Sequence, residues 1–175
     1  ELIGDIEGRF DRDMTALEKN ASYVFHADKT VDSHTQSTIK LFRDWAVSRA
    51  CPSLTAICHF AIDKFDIQSE KLRNFLTAAS ILGEIDNPLP YHNNMHFRKV
   101  VFQCIRMIAV YNDIYEGTSR AFGENRIALL LGTACIHDFA HDGKGYMIKG
   151  VYIPHRLEQI SYDLVEPIFS LIGLD

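Results

Sequence analysis

At 175 residues the chain is long enough to bury one real core, and a single domain is the natural expectation. Apolar residues at 47% and charged residues at 23% are ordinary for a globular protein, and the net charge of −5 argues against non-specific binding to nucleic acid or to an anionic membrane. No apolar run is long enough to span a bilayer, and the start, Glu1-Leu2-Ile3-Gly4-Asp5-Ile6-Glu7, lacks the basic-then-apolar layout of a signal peptide. A cytoplasmic protein is expected, and the missing initiator Met suggests a processed or excised piece.

Taken in order, Ile3, Ile6, Phe10, Met14 and Leu17 recur at three- and four-residue steps, which predicts an amphipathic helix over residues 1–25. Residues 1–30 then form a packing segment or, alternatively, a linker or dimerising helix. His26 to Ser37 is polar and reads as a loop, with His34 a solvent histidine. Ile39, Phe42, Ala46 and Ala50 repeat at helical spacing, and Leu41, Trp45 and Val47 widen the apolar face. After Pro52, a helix resumes from Leu54 to Phe65. His59 lies in that run and reads as a hydrogen-bonded core or boundary histidine rather than a ligand, because its acidic neighbour at a helical offset is Asp63 alone.

Glu70 to Gly83 places Leu72, Phe75, Leu76, Ala79 and Leu82 on one face, with Gly83 as a C-terminal stop. Asn87-Pro88-Leu89-Pro90 is a rigid connector. From Asn94 to about Asn112, Val100, Val101, Cys104, Ile105, Ile108 and Ala109 describe another helix, capped by Asn93 or Asn94. Residues 113–125 are turn-rich. The helix from about Arg126 to His137 is apolar almost all round and should be central. Gly143, Gly145 and Gly150 mark a loop. A last helix, His155 to Ile172, carries Leu157, Ile160, Leu164, Ile168 and Phe169; Pro167 should kink or break it and Gly173 should end it. With no internal repeat, low-complexity tract or convincing alternating strand, the fold class is all-α, about seven helices in one domain. Cys51, Cys58, Cys104 and Cys135 form no CxxC pair, sit in apolar surroundings and read as reduced core thiols.

The chemistry concentrates in Leu129 to Gly143, where an apolar helix delivers His137 and Asp138 together and His141 one turn later. Such groups lose water on burial and need a partner in its place. Five of the eight histidines fall between Tyr91 and His155, and His92 and His96 repeat the four-residue spacing of His137 and His141. On a helix that spacing puts two side chains on one face. Mixed histidine and carboxylate ligands suit Zn, Mn, Fe or Mg. A buried His137–Asp138 pair that merely stabilises helix ends is the structural alternative.

Tyr91-His92-Asn93-x-x-His96, followed about forty residues later by His137-Asp138-x-x-His141-x-Gly143, resembles the signature of class I cyclic nucleotide phosphodiesterases, all-helical HD-domain metallohydrolases. The lead-in from Phe65 through Leu72, Phe75 and Leu76 and the later Leu157-Glu158 pair share the likeness, which covers residues 65–160. The resemblance implies a compact HD-domain, phosphodiesterase-like bundle with two divalent ions (Zn, Mg or Mn). His96, His137 and Asp138 would be metal ligands, with Asp138 bridging, and His141 would hold metal-bound water. His92 would be the general acid that protonates the leaving 3′-oxygen, and Glu158 the carboxylate that orients it. Tyr91 and Asn93 would shape the turn that presents His92. The implied reaction is hydrolysis of a 3′,5′-cyclic nucleotide to the nucleoside 5′-monophosphate, in signal transduction, by metal-activated water.

This sequence departs from the family in places. Asp142 stands where proline is usual, Tyr146 where asparagine is usual, and Lys99 where aspartate is usual. Only 37 residues follow Asp138, so the family's final metal-ligand aspartate, purine-holding glutamine and aromatic clamp have no counterpart; neither Asp163 nor Asp175 has the spacing, and Asp163 reads as solvated. The domain is therefore expected to be incomplete on its C-terminal side or a shortened relative. An exposed apolar face would follow, which a homodimer could cover. The expected partner is a cyclic nucleotide or related phosphate ester, with no nucleic acid and no membrane. Another HD-domain nucleotide phosphohydrolase and a non-catalytic signalling module are the alternatives.

Overall fold

The computed structural model describes residues 2–21, 31–85, 89–171 and 173. Among these, seven helices run in the order α1 (Leu2–Ala21), α2 (Val31–Ser48), α3 (Leu54–Lys64), α4 (Glu70–Gly83), α5 (Asn94–Ile114), α6 (Glu124–Ile136) and α7 (Arg156–Leu171). A single hairpin, β1 (Met147–Ile148) with β2 (Val151–Tyr152), lies between α6 and α7. The all-α expectation holds.

The helix starts follow local chemistry. Ser53 accepts from the Ala56 N–H, Ser69 from Leu72 and Asn93 from His96, so side-chain oxygens serve amides that no helical carbonyl can reach. Gly123 opens α6 without such a bond; instead Glu124, in its first turn, accepts the N–H groups of Gln68 (2.9 Å) and Ser69 (3.2 Å) and ties the start of α6 to that of α4.

The core is built from α3, α4, α5 and α6. Leu54, Ile57, Leu76, Phe97, Val101, Phe102, Ile105, Leu131 and Cys135 are buried there, and each such side chain of Leu or Phe size contributes roughly 1.5–3 kcal/mol. Trp45 of α2 meets Phe102 edge-on at 5.2 Å, and Leu17 closes the α1 side. Two glycines let α4 and α6 approach closely. A Cβ at Gly132 would clash with Cε1 of the Phe75 ring, and one at Gly83 would strike the Cys135 carbonyl oxygen and Leu54. Gly83 is thus the last residue of α4, kept small for packing; Glu84 caps the helix in a right-handed conformation.

Several expectations need correction. Residues 31–37 are helical rather than loop, since polar residues fit a helix whose hydroxyls bond back along it, as Ser37 Oγ does to the Ser33 carbonyl. The buried face of α2 is Thr38, Leu41 and Trp45, leaving Ile39 and Val47 exposed. On α7 it is Leu157, Ser161 and Val165, leaving Leu164 and Ile168 exposed. Pro167 does not end α7, because it and Asp163, whose carbonyl loses its N–H partner, both face solvent. Gly173 does lie just past the helix, with a positive φ and its N–H on the Ser170 carbonyl at 3.1 Å. The hairpin was invisible to alternation because its strands have two residues each; Lys149 and Gly150 both take positive φ, the two-residue turn such hairpins favour. α6 packs on α4 and α5 but leaves Leu129 and Leu130 exposed. The loop expected at 26–30, the connector at Asn87-Pro88 and the side chains of Ile3, Ile6 and His34 lie outside the described residues.

Candidate metal centre

The end of α6 and the start of α5 meet, and four imidazoles and a carboxylate come together there. Asn93 organises one side: its Oδ1 caps α5 through the His96 N–H (3.1 Å) and its Nδ2 donates to the Pro90 carbonyl (2.9 Å), while its own N–H closes on Tyr91 (2.9 Å). That turn holds His92 and His96 on one flank. On the other, His137 continues the right-handed path of α6, and turns at Phe139 and His141 fold the chain back over Asp138.

Asp138 Oδ2 is the hub. His92 Nδ1 lies 2.5 Å from it, His137 Nε2 3.1 Å and His96 Nε2 3.6 Å, and the two Nε2 atoms are 3.3 Å apart. The four side chains are 16–29% exposed, dry enough to strengthen their interactions yet open to a small ion. His92, His96 and Asp138 can each offer one ligand atom within a shared 4.8 Å.

The tautomers make the case sharper. His137 Nδ1 lies 2.7 Å from the Ala134 carbonyl, which can only accept, so Nδ1 carries the hydrogen. In the neutral ring Nε2 then presents a lone pair to the Asp138 carboxylate. Two lone pairs face each other, and a cation or a second proton must stand between them. An imidazole fixed through its far nitrogen by a carbonyl is the usual arrangement of a metal-ligating histidine. Burial, then the neighbouring His137, lowers the pKa of His96 despite the opposing pull of Asp138, which favours the neutral ring a cation needs. The donor set therefore fits a divalent ion.

The remaining residues take different places. His141 stacks on His92, ring centroids 3.7 Å apart, and its Nδ1 accepts the Gly143 N–H at 3.0 Å. Tyr91, exposed, lies 4.9 Å from the His92 ring and 4.8 Å from the His96 ring. Glu158 is joined to Tyr146, whose hydroxyl donates to it at 2.5 Å and holds its pKa below the ordinary range. The carboxylate that His92 meets is Asp138. Lys99 points its ammonium over the Phe42 ring at 5.7 Å. Asp142 bonds Arg156 and accepts the Lys144 N–H, fastening the start of α7 to the loop; the guanidinium keeps its carboxyl strongly acidic. Asp163 is exposed and accepts from Gln159 at 2.7 Å.

Supports that the sequence did not reveal surround the cluster. Asn94 donates to the carbonyls of Gly83 (3.1 Å) and Ile85 (3.2 Å), tying the end of α4 to α5. Glu84 takes the Leu54 N–H and a forked pair from Arg98. Ser161, buried on α7, accepts the Ala140 N–H at 3.3 Å. Phe97 lies edge-on beneath His137 at 5.5 Å. No local sequence pattern signals partners so far apart, although the Asn93-Asn94 pair before an apolar run is a capping signal.

Compared with family models, curated proteins and solved structures, the chain matches none. Fold and site define an all-α protein in which His92, His96 and Asp138 form a group that could hold a metal ion.

Proposed function

We propose that the chain carries the metal centre of a phosphohydrolase of the class I cyclic nucleotide phosphodiesterase type. The observation that supports this reading is the convergence of three imidazoles on Asp138 Oδ2, from the two motifs that carry the family likeness. His96, His137 and Asp138 would hold the divalent ions, two of them (Zn, Mg or Mn) on the family pattern. When bound, they lower the pKa of a shared water and neutralise the phosphate.

The chain's own residues do the rest. The Ala134 carbonyl fixes the His137 tautomer and aims its Nε2 inward. Asp138 receives His92 Nδ1, so Nε2, across the ring, is the nitrogen placed to hand a proton to the leaving alkoxide. That transfer is worth about 10²–10⁴ in rate. His141 stacked on His92 limits rotation of the ring. Glu158 bonds Tyr146 rather than His92.

The experiment is metal-dependent hydrolysis of cAMP and cGMP with Mn or Mg, against a panel of other nucleotides and phosphomonoesters, for the chain and for His92→Ala. The expected result is metal-dependent turnover of a cyclic nucleotide that His92→Ala reduces at least 10²-fold. Turnover of phosphomonoesters alone would favour the wider HD-domain reading. No metal-dependent turnover of any of them by the chain or a longer parent would overturn the proposal.

A further inference from the structure

A cavity of about 550 Å³ opens between α6 and α7, and His137 belongs to both its wall and the metal cluster. Its size suits a small organic group. Ile136 of α6 and Val165 and Phe169 of α7 give it apolar lining. Glu158 and Glu166 of α7 also line it, with no lysine or arginine among the lining residues. Ser170 donates to one Glu166 oxygen at 3.0 Å and Tyr146 to one of Glu158, and a carboxylate retains further acceptor sites after one bond.

These features separate two parts of a ligand. The histidine cluster is where a phosphoryl group would be held, because cations gather there. The adjoining cavity repels negative charge and offers apolar surface plus acceptors. Resting on the phosphohydrolase reading, we infer that the α6–α7 cavity is the subsite for the organic part of the phosphoester, and that it selects an apolar or aromatic group bearing a positive or hydrogen-donating nitrogen. A substrate with extra phosphates or a carboxylate on that part is disfavoured. Glu166 is the specificity-determining residue that the test isolates, because its partner Ser170 also lines the cavity and lies away from the histidine cluster.

Benzamidine and benzoate test this directly, because they share a ring and differ in the sign of their charge. Binding is followed by NMR shifts in the full chain with Mg, for the wild type, Glu166→Gln and Thr133→Trp. Thr133 is exposed on the cavity wall, so the tryptophan fills the space without entering the core. The expected result is benzamidine binding with shifts at Val165 and Phe169, both in the cavity lining, little binding of benzoate, at least fivefold weaker benzamidine binding in Glu166→Gln and loss in Thr133→Trp. Benzamidine should also compete with bis(4-nitrophenyl) phosphate in metal-dependent hydrolysis. Equal binding of both probes, binding of neither, or binding indifferent to both substitutions would overturn the inference. Hydrolysis untouched by bound benzamidine would also overturn it, because the cavity would then be no subsite. Absence of hydrolysis with benzamidine still bound would instead overturn the phosphohydrolase reading and with it the assignment to a substrate.

Discussion

His92 Nδ1 and Asp138 Oδ2 lie 2.5 Å apart although 46 residues separate them in the chain. The contact joins the start of α5 to the end of α6, and it puts one carboxylate oxygen in reach of both a proton donor and the candidate ligands. His92 can therefore serve as a metal ligand or as an acid. The two roles differ in outcome. As an acid, His92→Ala should keep divalent metal affinity within about threefold while losing turnover. His137→Ala and Asp138→Ala should each weaken metal binding by about 10–100-fold or more. Calorimetric titration with Mn or Zn measures all three. A loss of affinity in His92→Ala equal to that in His137→Ala would make His92 a ligand.

Gly132 sets how closely α6 approaches α4. Helix propensity alone would make Gly132→Ala stabilising by about 1 kcal/mol. The added methyl would meet the Phe75 ring, and overpacking of that kind costs about 1–3 kcal/mol. The expected net effect is destabilisation, read as a lower urea midpoint. Phe75→Leu in the same chain should restore part of it.

Glu84 ties three helices, through the α3 amide of Leu54, its own position after α4, and Arg98 of α5. Glu84→Ala leaves the Arg98 guanidinium, only 16% exposed, without its partner. A loss of about 3 kcal/mol is expected in denaturant unfolding. Replacing Arg98 and Glu84 together with apolar residues of similar size should cost less than Glu84→Ala alone.

His59 packs edge-on against Phe10 at 5.3 Å, and burial lowers its pKa, with Asp63 opposing and Arg73 reinforcing the shift. A histidine with a lowered folded pKa binds fewer protons folded than unfolded. Its contribution is fully present above the unfolded value near 6.5 and is lost as pH falls through the folded one. Thermal stability should therefore decline as pH falls below about 6.5, and His59→Gln should flatten that decline. An unchanged slope in the variant would place the titrating group elsewhere.

The helices were legible wherever apolar spacing was regular, as in α4 and α5. Faces were harder to read. On α7 the buried row Leu157, Ser161 and Val165 includes a serine held by the Ala140 amide, so hydropathy pointed toward Leu164 and Ile168 instead. On α2 a buried threonine, Thr38, had the same effect. Core thiols were foreseeable from apolar surroundings; the 3.4 Å approach of Cys58 to Cys135, which with burial raises the Cys135 pKa, was not, because the two stand 77 positions apart in the chain. At the site, spacing brought His92, His96, His137 and Asp138 forward as a group. It could not show that Asp138 rather than Glu158 meets His92, since that depends on where α7 packs.

The central claim is that this cluster holds a divalent metal. Anomalous diffraction from crystals grown with Mn, at an energy where Mn scatters strongly, tests it most directly. The expected result is a peak at bonding distance from His96 Nε2, His137 Nε2 and the Asp138 carboxylate that disappears in Asp138→Ala. A wild-type crystal with Mn bound elsewhere and no peak among these three residues would contradict it.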